Sequence, residues 1–220
     1  MIRTGRRHGR RSLLAALVLA LGVVVVACGS GGDDGAAGGD ADAELLGITR
    51  PEPLQVGDVT VPDRTTGGEG GDFTMRAASG ELLVVYFGYT SCPDICPTTL
   101  ADLRTAFEQV GPDAEQVDVA MVTVDPERDT GPKLSNYLSS FFTRFHALRE
   151  PDLDRIPEIE EPFGASSQVV HQDDGRVEVA HSAITYVVDD TGEVLVEWPF
   201  GTEPDAMADD LAVLLARQSP

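Results

Sequence analysis

Cys92 and Cys96, separated by three residues, are the side chains in this 220-residue sequence best able to do chemistry. Two thiols this close can form a disulfide, cycle as a redox pair or hold a metal ion. Each precedes a proline, Pro93 and Pro97, which biases both cysteines away from the helical region. A helix is therefore expected to start at or near Pro97, whose missing N–H costs nothing in a first turn. Cys96 then falls close to the N-cap and Cys92 in the loop above it. Both face the positive end of a helix dipole, which favours thiolates. Bonds of roughly 2.3 Å from two thiolates to one metal leave the sulfurs about 4 Å apart. A disulfide requires about 2 Å. A loop entering a helix can reach either state, so spacing alone leaves the chemistry open.

The elements that must position this pair can be read from apolar periodicity. Leu82–Phe87 is an unbroken apolar run, as expected of a strand buried on both faces. After the cysteines, Leu100, Leu103, Phe107 and Val110 recur at helical spacing, and Val117–Val124 reads as a second strand. Leu134, Tyr137, Leu138, Phe141 and Phe142 form the stripe of another helix. Val169-Val170 and Val177-Glu178-Val179 flank Asp174-Gly175, a hairpin signal. Ala183–Val188 and Glu193–Trp198 make a further strand pair, and Thr202, Pro204 and Asp205 open a last helix. The expected fold class is α/β: a thioredoxin-like fold, β-α-β-α-β-β-α, with extra N-terminal strands and an inserted β-hairpin.

The amino terminus is expected to stand outside that domain. Arg3, Arg6, Arg7, Arg10 and Arg11 precede an apolar run, Leu13–Ala27, of signal-peptide length. The run ends Val25-Val26-Ala27-Cys28, which looks like a bacterial lipobox, with cleavage before Cys28 and acylation of its thiol. Residues 1–27 are therefore expected to be a lipoprotein signal peptide and 28–44 a lipidated tether rich in Gly, Ala and Asp. Residues 45–220 are expected to be the folded domain, tied to the extracytoplasmic face of the cell membrane. Losing the five arginines moves the formal charge from −21 to −26. That disfavours nucleic acid and anionic headgroups as partners.

Three blocks carry a family resemblance: Phe87-Gly88-Tyr89-Thr90-Ser91-Cys92-Pro93-Asp94-Ile95-Cys96-Pro97, then Val124-Asp125-Pro126-Glu127-Arg128-Asp129-Thr130, then His181-Ser182 ahead of Tyr186-Val187-Val188-Asp189. In this order they resemble the SCO/SenC family, thioredoxin-like proteins that assemble the binuclear copper centre of cytochrome c oxidase. The resemblance implies copper, as Cu(I), Cu(II) or both, held by Cys92, Cys96 and His181. It implies subunit II of the oxidase as recipient, and another copper chaperone as a possible donor. Two thiolates and an imidazole suit that metal. Asp94, between the cysteines, and Asp125, at the end of a neighbouring strand, are expected just outside the ligand set.

Two other functional classes fit the cysteine pair. One is a thiol–disulfide reductase acting on the oxidase's copper-site cysteines, with Cys92 and Cys96 as its redox pair; the other is a copper or redox sensor. Thioredoxin-type oxidoreductases carry a cis-proline before the strand that Tyr186–Asp189 matches, and here that place falls to Ala183. A peroxiredoxin needs Pro and Thr where this chain has Val85 and Tyr89. His8 goes with the signal peptide, while His146 and His171 are expected at the surface, outside any site. The chain departs from the family at Gly80-Glu81, where a basic residue is usual. It departs again at Glu150–Phe163, acidic and proline-rich where a shorter segment is common.

Overall fold

The computed structural model describes residues 40–66 and 70–218. Cys28, the signal peptide and most of the tether fall outside the described residues. Strands β1 (Thr60–Pro62) and β2 (Asp72–Thr74) form an antiparallel pair. The main alternation follows: β3 (Leu82–Gly88), α1 (Ile95–Val110), β4 (Val117–Thr123), α2 (Gly131–Leu138) and β5 (Phe145–Leu148). A short helix, α3 (Ile156–Glu160), leads to the hairpin β6 (Ser167–His171) and β7 (Val177–His181). The chain closes with β8 (Ile184–Val188), β9 (Val194–Pro199) and α4 (Pro204–Gln218).

The central sheet runs β5-β4-β3-β8-β9. β3, β4 and β5 are parallel, whereas β8 pairs antiparallel with both β3 and β9. This mixed sheet with its helices is the thioredoxin-like arrangement that the sequence pattern predicts. The extra N-terminal strands and the hairpin stand outside the central sheet. Every residue of β3 is buried, as its unbroken apolar run requires. Helices α1 and α4 pack on each other. At the far edge, Asp210 of α4 accepts the indole N–H of Trp198 at 2.8 Å and the backbone N–H groups of Leu46 and Gly47 at 2.6 and 2.9 Å. Gly47 is needed there, because a Cβ would come within 2.6 Å of Trp198 and closer still to Val196.

Three elements depart from the expected pattern. Helix α2 stops at Leu138, and the Ser139-Ser140 turn carries Phe141 and Phe142 to the core without helix. The amphipathic stripe reported burial here, and burial did not require a helix. The acidic segment after Glu150 folds into short helical turns around α3. Strand β5, too short to show a period, was not anticipated.

His146 of β5 is a correction. It is not a surface residue: only a quarter of its side chain is exposed, and its ring stacks on Phe73 at 4.0 Å. Nδ1 lies 2.9 Å from Asp63 Oδ2, and Nε2 lies 3.8 Å from Asp118 Oδ2. Burial disfavours the imidazolium, but the two carboxylates outweigh it and raise the pKa above the ordinary histidine value. A raised folded pKa stabilises fully below the unfolded value, and that contribution fades as pH rises through the folded value. Stability to urea is therefore expected to decline as pH rises from the ordinary histidine range, and His146→Gln should remove most of that slope. An unchanged slope in the variant would show that this cluster does not titrate as described.

Candidate metal centre

The centre is assembled at the carboxyl ends of the parallel strands. β3 ends at Gly88, and the chain turns through Tyr89, with the Cys92 N–H donating to the Tyr89 carbonyl at 3.3 Å. Helix α1 then begins at Ile95, not at Pro97, so Cys96 lies inside the first turn. The Asp94 carbonyl accepts the Thr98 N–H at 3.2 Å, which draws the residues before Pro97 into helix despite their local preference. Asp94 occupies the N-cap, is exposed and makes no side-chain cap. Its contribution is its backbone N–H, directed to the Cys92 sulfur. Gly88 lies under the pair: a Cβ there would sit 3.2 Å from Cys96 Sγ and 2.6 Å from the Tyr86 ring.

His181 arrives from the other side. It is the last residue of β7, on the hairpin, and lies just ahead of the core strand β8, as expected. Nδ1 lies 2.9 Å from the Ser182 carbonyl oxygen. A carbonyl can only accept, so Nδ1 carries the proton, and in the neutral ring that metal binding requires, Nε2 keeps its lone pair. Nε2 faces Cys96 Sγ at 3.6 Å. The imidazole is held edge-on by two tyrosines, with ring centroids 6.1 Å from Tyr86 and 5.9 Å from Tyr89. The ligand atoms of Cys92, Cys96 and His181 all lie within 4.8 Å of one another, and among the described residues no other such group of three occurs.

The two thiols are unequal, which corrects the expectation that the helix dipole would ionise both. Burial opposes the Cys92 thiolate, but the N–H groups of Cys96, at 3.3 Å, and Asp94 outweigh it and lower the pKa. Cys96 has no exposed surface, and burial pushes its thiol up to about 12. Cys92 is thus the readily ionised and accessible sulfur. Cys96 keeps its proton until something positively charged takes its place.

Asp125 meets Arg128. Its carboxylate, 1% exposed, accepts from the Arg128 guanidinium, and burial raises its pKa. Arg128 in turn lies 5.7 Å over the Tyr89 ring. Asp129, in the same motif, is the more direct support and was missed. Fully buried, it accepts the Thr90 N–H at 2.9 Å, the Thr90 hydroxyl, the Thr123 hydroxyl at 2.8 Å and Lys133 Nζ at 3.3 Å. Its place in the same block as Asp125 was the only signal in the sequence, and it does not tell the two acids apart. Arg149 braces the same loop through the carbonyls of Pro126 and Asp129 at 2.8 Å. His171 stays outside the centre, 3.2 Å from Glu127 at the surface.

A thioredoxin-like sheet with a CxxxC loop at its strand ends, and an imidazole beside it, defines a thioredoxin-fold protein with a three-donor site. The chain belongs to the SCO1/SenC family, whose model matches residues 57–216. It is 30% identical to a SCO2-like protein of Rickettsia conorii, over 76% of this chain and 86% of that one. Among solved structures it resembles ScoI of Bradyrhizobium japonicum with copper bound, at 30% identity and a TM-score of 0.59, over 73% of this chain and 96% of that one. Apo Sco1 of Thermus thermophilus gives 30% identity and a TM-score of 0.63, over 81% and 98% of the two chains.

Proposed function

We propose that this protein binds one copper ion through Cys92, Cys96 and His181 and delivers it to the binuclear centre of cytochrome c oxidase subunit II. One observation carries the reading: two thiols and a metal-ready imidazole nitrogen lie within 4.8 Å of one another. Thiolates favour Cu(I), and the imidazole extends the set toward Cu(II) when further ligands join. The copper-bound relative from Bradyrhizobium supports copper as the ion. Cys92, partly exposed, is the natural point of entry and exit. Cys96 holds the ion from beneath once its proton leaves, and His181 closes the third side. Another copper chaperone would supply the ion, and nucleic acid is no partner for so acidic a chain.

In this reading the domain works at the outer face of the membrane, held by lipid on Cys28. Among the described residues no helix is long and apolar enough to cross a membrane. The Ala27-Cys28 junction at the end of the apolar run motivates this expectation: the mature N-terminus should carry acyl chains on Cys28, and Cys28→Ser should block that processing. Mass spectrometry finding a free Cys28 thiol in the wild type would end the anchoring proposal.

Thiol–disulfide reduction is the second reading, favoured by the unequal thiols: an accessible, acidic Cys92 suits attack, and a buried Cys96 suits resolution. A copper sensor would bind the same ion without passing it on. His181→Ala separates them, since disulfide exchange needs no imidazole. The variant is expected to keep exchange, lose Cu(II) affinity more than Cu(I), and fail to metallate apo subunit II. Normal copper affinity and normal metallation by the variant would exclude His181-dependent delivery and leave the reductase reading. Copper binding by the wild type without transfer would leave the sensor.

A further inference from the structure

The segment after Glu150 ends at the foot of the hairpin that carries His181. Phe163 is fully buried, with its ring 5.2 Å from Phe87 and 5.1 Å from Tyr186. That packing fixes α3 to the central sheet. Glu160 closes α3 and is only 3% exposed. Its backbone carbonyl accepts the Ala165 N–H at 3.1 Å, across a turn made by Gly164 at φ +64°. Its carboxylate Oε2 accepts the Ser167 N–H at 3.0 Å. Ser167 opens β6 and lies directly opposite His181 in the hairpin register. Beside that pair, Ser166 and Ser182 share three hydrogen bonds, at 2.9, 3.0 and 3.4 Å.

Glu160 is an uneconomical choice for merely ending a helix. Its Oε1 is buried with no hydrogen-bond partner, and burying a carboxylate half-satisfied is costly. A buried acid that grips the strand directly opposite a ligand is placed to control it.

We propose that Glu160 is the positioning residue for His181: by holding the Ser167 N–H it sets the hairpin so that the imidazole is delivered over Cys96. The proposal rests on the copper reading above and deepens it. Orientation of a ligating histidine by a neighbouring group is commonly worth about 10–100-fold in metal affinity. Because two thiolates hold Cu(I) without the imidazole, Cu(II) should bear most of the loss.

The test is Cu(II) binding to the reduced, folded protein by anaerobic titration, with the nitrogen hyperfine coupling of bound Cu(II) read by electron paramagnetic resonance. Glu160→Ala is expected to weaken Cu(II) by about tenfold or more, with the nitrogen coupling lost and Cu(I) affinity nearly unchanged. Glu160→Gln, whose amide oxygen can still accept from Ser167, should restore the coupling. Ser167→Pro removes the same hydrogen bond from the donor side and carries the same expectation should Glu160→Ala not fold. Intact nitrogen coupling and affinity in Glu160→Ala or Ser167→Pro would overturn the proposal, as would loss of the coupling in Glu160→Gln. A wild type lacking nitrogen coupling would overturn both this proposal and the copper reading beneath it.

Discussion

Cys96→Ala is expected to bind almost no copper while keeping its fold. Structural zinc sites with four ligands release about 10–16 kcal/mol, or about 2.5–4 kcal/mol per ligand. One missing thiolate should therefore weaken the ion by at least about a hundredfold. Cys96 is the more demanding of the two replacements, because its sulfur has no exposed surface and rests against Gly88 and Tyr86. Water cannot take up the vacated coordination position there as readily as at the partly exposed Cys92. The loss should deepen at low pH in the wild type as well, since both sulfurs must shed protons to bind. Cys96, with its pKa raised to about 12, releases its proton only in exchange for the ion. Titration of the reduced variant against a competing chelator is the measurement. Affinity within tenfold of wild type would remove Cys96 from the ligand set.

Asp129→Ala is expected to be the most damaging single change outside the ligands. The carboxylate accepts from a backbone N–H, two hydroxyls and a lysine, and joins the end of β4 to the loop that carries Cys92. Hydrogen bonds to a charged acceptor are each worth about 1.5–3 kcal/mol, and the orphaned donors add a desolvation cost. A loss of about 4 kcal/mol in urea unfolding follows, together with faster alkylation of Cys92 in the native protein as its loop loosens. Asp129→Asn keeps one accepting oxygen and should fall between. A variant within about 1 kcal/mol of wild type would show that Arg149 and the strand pairing hold the loop without Asp129.

The sheet was legible in the sequence because its strands are apolar runs and the turns between them are marked by Gly and Asp. The hairpin was legible for the same reason, through Asp174-Gly175. The start of α1 was not, because pre-proline bias is a local preference and the Thr98 hydrogen bond to Asp94 overrides it. The edge strand at Phe145 carries too few residues to show a period. At the centre, residue types and family blocks singled out Cys92, Cys96 and His181, and the structure brings their donor atoms together. Chemical inequality between the sulfurs could not be read, because it depends on burial that only the packed chain defines. Asp129 was passed over in favour of Asp125, since both acids sit in one motif and only geometry tells which meets Thr90. Glu160 lay in a segment with no periodicity and no matched motif.

The hairpin's attachment has a consequence for the order in which the centre comes into being. The two sulfurs are four residues apart, whereas His181 follows Cys96 by 85 residues. Closing the short loop costs little chain entropy, and closing the long one must wait until β8 has joined β3. During folding the thiols therefore meet before the imidazole reaches them. In an oxidising compartment that interval exposes them to disulfide formation. A newly folded molecule then depends on a reductant before it can take up its first ion, however well formed the finished centre is.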